Sequence, residues 1–101
     1  MTEKRTINVA VQVLPLHEDV YPIVDAAIKI IQNSGVKYEV GPLETTLEGD
    51  DLDQLIDIAK SAHRACFLAG AGKVVTIIKI CDALEGTTIE DKVSKYRKVN
   101  R

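Results

Sequence analysis

Along Ile7 to Leu14 the chain alternates one position at a time: Val9, Val11 and Val13 fall on one side of an extended backbone, Ala10, Gln12 and Leu14 on the other. A period of two in β-branched residues predicts a strand, and Pro15 stops it. After His17-Glu18-Asp19 the period lengthens. Ile23, Val24, Ala27, Ile28 and Ile31 form an apolar stripe that predicts a helix over about 20–34. Asp19 stands at its N-cap, Pro22 fits its first turn and Gly35 is placed to end it. Val36 to Val40 and Leu43 to Glu48 read as two short strands separated by Gly41-Pro42. A second helical stripe runs from Leu52 through Leu55, Ala59, Ala62 and Cys66 to Ala69. Asp50 and Asp53 stand at its start, as in a capping box, and Gly70-Ala71-Gly72 ends it. Lys73 to Cys81 is the most apolar strand, and Thr88 opens a short amphipathic helix over about 88–99.

The order β-α-β, β-α-β, helix predicts an α+β fold. It is a ferredoxin-like βαββαβ unit over residues 1–101, with a four-stranded antiparallel sheet, two helices on one face and an added C-terminal helix. The opposite sheet face is not polar: Ala10, Leu14 and most of the fourth strand would be bare on a monomer. Self-association through that face into a dimer or tetramer is therefore expected.

Composition narrows the function. Of 101 residues, 46% are apolar and 28% charged, as in an ordinary globular chain. Val and Ile supply 22 residues, whereas Phe67, Tyr21, Tyr38 and Tyr96 are the whole aromatic set. That argues against single-strand nucleic-acid binding, which leans on aromatic platforms. The net charge of −2 argues against a generic nucleic-acid binder. Charge does segregate locally, with acids from Glu44 to Asp57 and a basic tail after Asp91, the latter read as a solvated helix face. No run reaches the roughly 18 apolar residues of a membrane span, and the N-terminus lacks a signal-peptide core. Cys66 and Cys81 read as buried, reduced thiols of a cytoplasmic protein.

Catalytic and metal motifs do not emerge. Gly70-Ala71-Gly72-Lys73 resembles a phosphate loop but follows a helix, and it has Phe67 and Val74 where the motif needs Gly and Ser or Thr. His17 and His63 have no partner at ligand spacing and read as structural. The third strand carries more information. Glu44, Thr46 and Glu48 alternate onto one face, Thr45 and Leu47 onto the other. Two carboxylates and two hydroxyls on a short strand protect an edge by charge, or they line a polar pocket for a cationic or amino-bearing ligand. Gln12 and Lys79 are positioned by topology to join that stretch.

Three segments resemble a family of small thiamine-binding proteins. They are Val13-Leu14-Pro15-Leu16, the run Gly41-Pro42-Leu43-Glu44-Thr45-Thr46-Leu47-Glu48-Gly49-Asp50, and Val75-Thr76-Ile77-Ile78-Lys79-Ile80. The element Pro-x-x-Thr-x-x-Glu-Gly before the second helix is the most specific of them. Many relatives resemble Lys-Ile-Asp-Asp-Arg at the end of the fourth strand, where this chain has Lys79-Ile80-Cys81-Asp82-Ala83. The resemblance implies a non-enzymatic, oligomeric binder of thiamine or its hydroxymethylpyrimidine part, with no other cofactor. In such a site Glu44 or Glu48 would serve the ring cation or the amino group. Gln12, Thr45 and Thr46 would supply hydrogen bonds, Leu14, Leu16 and Leu43 the walls, and Lys79 a further polar contact. Two other readings stand beside it: a regulatory or scaffold oligomer whose strand-three acids make intersubunit contacts, and an enzyme using Glu48 as general base.

Overall fold

A computed structural model of the protein describes residues 4–99, excepting the side chains of 97–99. Seven elements follow in the order β1 (Ile7–Pro15), α1 (Val20–Gln32), β2 (Lys37–Val40), β3 (Thr45–Gly49), α2 (Leu52–Leu68), β4 (Val74–Cys81) and α3 (Ile89–Val99). The strands form one antiparallel sheet in the order β2-β3-β1-β4, the ferredoxin-like arrangement. β1 is central and pairs along its length with β4, from Asn8 opposite Cys81 to Pro15 opposite Val74.

Alternation on β1 sets the layers. Val9 and Val11 are buried under α1 and α2 with Ile23, Ala27 and Ile31 from α1 and Leu55, Ala59, Ala62 and Cys66 from α2. Ala59 and Ala62 let α2 lie close to the sheet, and Leu47 of β3 is sealed beneath it. At 25 cal/mol per Å² of apolar surface, burying a side chain such as Leu55 contributes about 2 kcal/mol.

Helix ends follow local chemistry. Asp51, not Asp50, caps α2: its carboxylate accepts the Gln54 N–H at 3.2 Å. At the other end the Gly70 N–H donates to the Phe67 carbonyl and the Ala71 N–H to the Cys66 carbonyl, and Gly70 takes φ +112°. This is a Schellman turn, so the glycine-rich stretch ends a helix instead of cradling phosphate. Asp19 occupies the N-cap of α1 without a side-chain cap bond; its N–H donates to His17 Nδ1. Gly35 (φ +86°) lies two residues beyond the C-cap Asn33, one position later than the expected end.

The other cysteine departs from expectation. Cys66 is buried and its thiol is pushed up by burial, but Cys81 is exposed. Cys81 belongs to an edge strand, on the side turned away from both long helices. Among the described residues, no helix is long and apolar enough to cross a membrane.

Candidate functional site

The face of the sheet away from α1 and α2 is built in rows across the strands. Glu48, Asn8 and Cys81 form one row; Thr46, Ala10 and Lys79 form the next; Gln12 with Ile77, then Leu14 with Val75, continue it along β1. Each row alternates register with the buried one, so Thr45 and Leu47 point toward the helices and are buried. The face is polar at one end and apolar at the other.

Ala10 makes the middle row unusual. Its methyl leaves the floor low between β3 and β4, and the Lys79 side chain crosses above it. The ammonium reaches Glu44, just before β3, with Nζ 2.7 Å from Oε1. Glu44 is placed there by a tight loop. Gly41 N–H donates to the Glu44 carbonyl at 2.8 Å, and a Cβ on Gly41 would stand 2.8 Å from that same oxygen. The bridge has a cleft on each side. One, of about 370 Å³, lies against Glu39, Gly41, Pro42 and Leu43. The other, of about 340 Å³, lies over Asn8 and Ala10 and is bounded by Ile80, Cys81 and Lys92. Glu44, Thr46 and Lys79 are common to both.

The row at the far end is closed by α3. Glu48 Oε1 accepts the Ile89 N–H, the first of the helix, at 2.6 Å, and Thr88 Oγ1 accepts the Asp91 N–H at 3.0 Å. A carboxylate and a hydroxyl thus satisfy two of the amides that every helix N-terminus leaves open. Asn8 Nδ2 donates to Glu48 at 3.2 Å, and Lys37 lies 3.3 Å from its other oxygen. Lys92 Nζ donates to Asn8 Oδ1 at 2.5 Å and to Thr87 Oγ1 at 2.6 Å. Partial burial pushes the Glu48 carboxyl up, but the Ile89 amide, Asn8 and Lys37 together outweigh it and hold the group below the usual carboxylate range.

The structure thus gathers Glu44, Thr46 and Lys79 around the paired clefts. Glu48 lies on the same face one row away, under α3. Gln12 and Leu14 continue that face beyond the bridge, with Leu14 40% exposed. Leu16 follows the end of β1, its N–H donating to the Lys73 carbonyl. Thr45 lines a separate crevice of about 110 Å³ with Gln12 and Glu44, beneath the 41–44 loop and against α1. That volume is well under the roughly 300 Å³ at which pockets for drug-sized ligands begin. Asn8, Cys81 and Lys92 are brought in without having been anticipated. Asn8 had a signal, because it shares the alternation of Gln12; Lys92 had none.

The histidines are engaged locally. His63 Nδ1 is 2.6 Å from Thr76 Oγ1 and its ring meets Phe67 edge-on at 5.5 Å. Asp82 pairs with Arg5 through two contacts of 2.8 and 2.9 Å, and that pairing holds its carboxyl low.

A family model described as thiamine-binding protein matches residues 9–97. The chain is 47% identical over 94 residues to a UPF0045 protein of Clostridium perfringens, covering 91% of this chain and 98% of that one. Among solved structures, a domain of unknown function (DUF77) from Bacillus cereus is 47% identical, with a TM-score of 0.86 over 95% of this chain and 94% of that one. A Thermotoga maritima protein provisionally assigned to thiamine biosynthesis or salvage is 38% identical, with a TM-score of 0.81 over 91% and 99%.

Proposed function

The chain belongs to the thiamine-binding protein family, and on that premise we propose that it binds thiamine in the clefts beside Glu44, without catalysing a reaction. One observation carries the reading: a carboxylate and a hydroxyl, Glu44 and Thr46, stand at the shared wall of two clefts of suitable volume. Thiamine joins a fixed thiazolium cation to an aminopyrimidine. Glu44 would face the cation, Thr46 would offer a donor and an acceptor, and Pro42, Leu43 and Ile80 would provide apolar contact. A mostly apolar site with a few placed polar groups is what small-molecule recognition requires.

Glu48 fits this role less well than Glu44. Three protein donors already meet its carboxylate. The same donors lower its pKa, whereas a general base working near neutral pH needs it raised. Binding without chemistry is therefore the reading favoured over an enzyme.

We further propose that a second copy of the chain covers the apolar end of the open face. Leu14, Val75 and Ile77 lie side by side there, each at least 40% exposed. Both cysteines are free thiols, which suits a cytoplasmic setting.

Calorimetry and thermal melting with thiamine, its phosphates and hydroxymethylpyrimidine test the ligand. A ligand at one hundred times its Kd stabilises the fold by about 2.7 kcal/mol. A melting curve unmoved by millimolar thiamine would remove the ligand and favour the scaffold reading. Light scattering after gel filtration tests the assembly, and a monomer at micromolar concentration would refute it.

A further inference from the structure

The Lys79–Glu44 bridge occupies the position in which the thiamine reading needs a cation. Its ammonium sits on the carboxylate that a thiazolium would approach, and its stem lies across Ala10, between the two clefts. Both clefts end against the same three residues, Glu44, Thr46 and Lys79. Of these three, Lys79 is the one whose side chain spans from β4 to Glu44, and a lysine stem can rotate.

We infer that this ion pair is a removable partition: a two-ring cationic ligand displaces the Lys79 ammonium from Glu44, joins the clefts into one trough and places one ring on each side. The inference rests on the thiamine reading and adds to it a residue that sets specificity. Three features support it. The lysine side chain is 65% exposed against 29% for the glutamate, so the cation is the mobile member and the acid the fixed one. Exposed ion pairs of flexible lysines contribute little to stability, so opening the pair costs little. Glu44 stays in place when the lysine leaves, because the Gly41 N–H and the loop hold its backbone.

The arrangement selects by charge and by length. A neutral single-ring ligand fits one cleft and leaves the bridge closed. A ligand with a fixed cation replaces Lys79 charge for charge, so Glu44 is never left unpaired in the trough, which would be costly.

Calorimetric titrations of wild type, Lys79→Met and Lys79→Arg with thiamine and with hydroxymethylpyrimidine provide the test, alongside melting curves to establish that all three fold. Removing the internal competitor should tighten thiamine binding by about fivefold, the size of an exposed ion pair. It should leave hydroxymethylpyrimidine within about twofold, and Lys79→Arg should behave as wild type. Weaker thiamine binding by Lys79→Met, with wild-type binding intact, makes the lysine a direct ligand contact and overturns the partition alone. An equal gain for both ligands overturns it too, since the bridge would then be a general obstruction. Absence of thiamine heat in all three proteins overturns the thiamine reading and the partition with it.

Discussion

Glu44 and Glu48 stand four residues apart on the same face of one short segment, and they have opposite fates. Glu48 is 10% exposed and tied to three donors from β1, β2 and the first turn of α3. Glu44 is 29% exposed and meets one flexible lysine at the boundary of two clefts. A carboxylate held by a strand asparagine and a helix amide is a fastening, because neither donor can leave without disturbing its element. A carboxylate held by one solvated ammonium can exchange that partner for another. The difference arises from what lies across the sheet, since the segment itself treats the two acids alike.

The largest effect should come from Gly41→Val. The added Cβ meets the Glu44 carbonyl at 2.8 Å, so the loop must open and Glu44 must move, while Glu48 stays under α3. A loss of about 1–3 kcal/mol in denaturant unfolding is expected, together with loss of thiamine heat. Unchanged binding would detach Glu44 from the site.

Glu44→Gln should weaken thiamine about tenfold, as removal of a charge-assisted contact does. Its stability should change by less than about 0.5 kcal/mol, because the bridge to Lys79 is exposed. Glu48→Ala should do the reverse, leaving thiamine affinity within about twofold and costing about 1 kcal/mol, the size of a lost helix cap. Equal effects of the two substitutions on binding would erase the distinction between the acids.

The smallest effect is a titration. Glu48 is held below its ordinary value in the folded protein, so folding favours its charged form. Its contribution is complete above the ordinary glutamate value of about 4.3 and is lost as pH falls through the folded value. Chemical shifts of α3 should lose helical character over that acid range, and the change should vanish in Glu48→Gln. A transition surviving in the variant would assign it elsewhere.

Much of this was legible in the chain. The alternation Val9-Ala10-Val11-Gln12-Val13-Leu14 divides the sheet faces without help, because period two leaves only two sides. The α2 stripe and the Thr88 cap follow equally local rules. The two acids were legible as a pair but not as individuals. Asn8 and Lys37 reach Glu48 through strand register, and Ile89 reaches it across 41 residues. Nothing in the spacing fixes those meetings. Cys81 was misjudged for a related reason: an apolar run predicts a strand, but whether that strand is central or at an edge depends on the order of all four.

Ala10 has a consequence beyond its own row. It lies in the central strand, flanked on both sides by the residues that carry charge and hydroxyl. A single methyl there sets how deep the surface runs, while the three polar side chains shared by the clefts, Glu44, Thr46 and Lys79, lie outside that strand. Depth and chemistry are therefore separately adjustable. Exchanging Ala10 for a bulkier residue would raise the floor without altering a charge, changing the size of what the surface admits while preserving the kind of group it recognises.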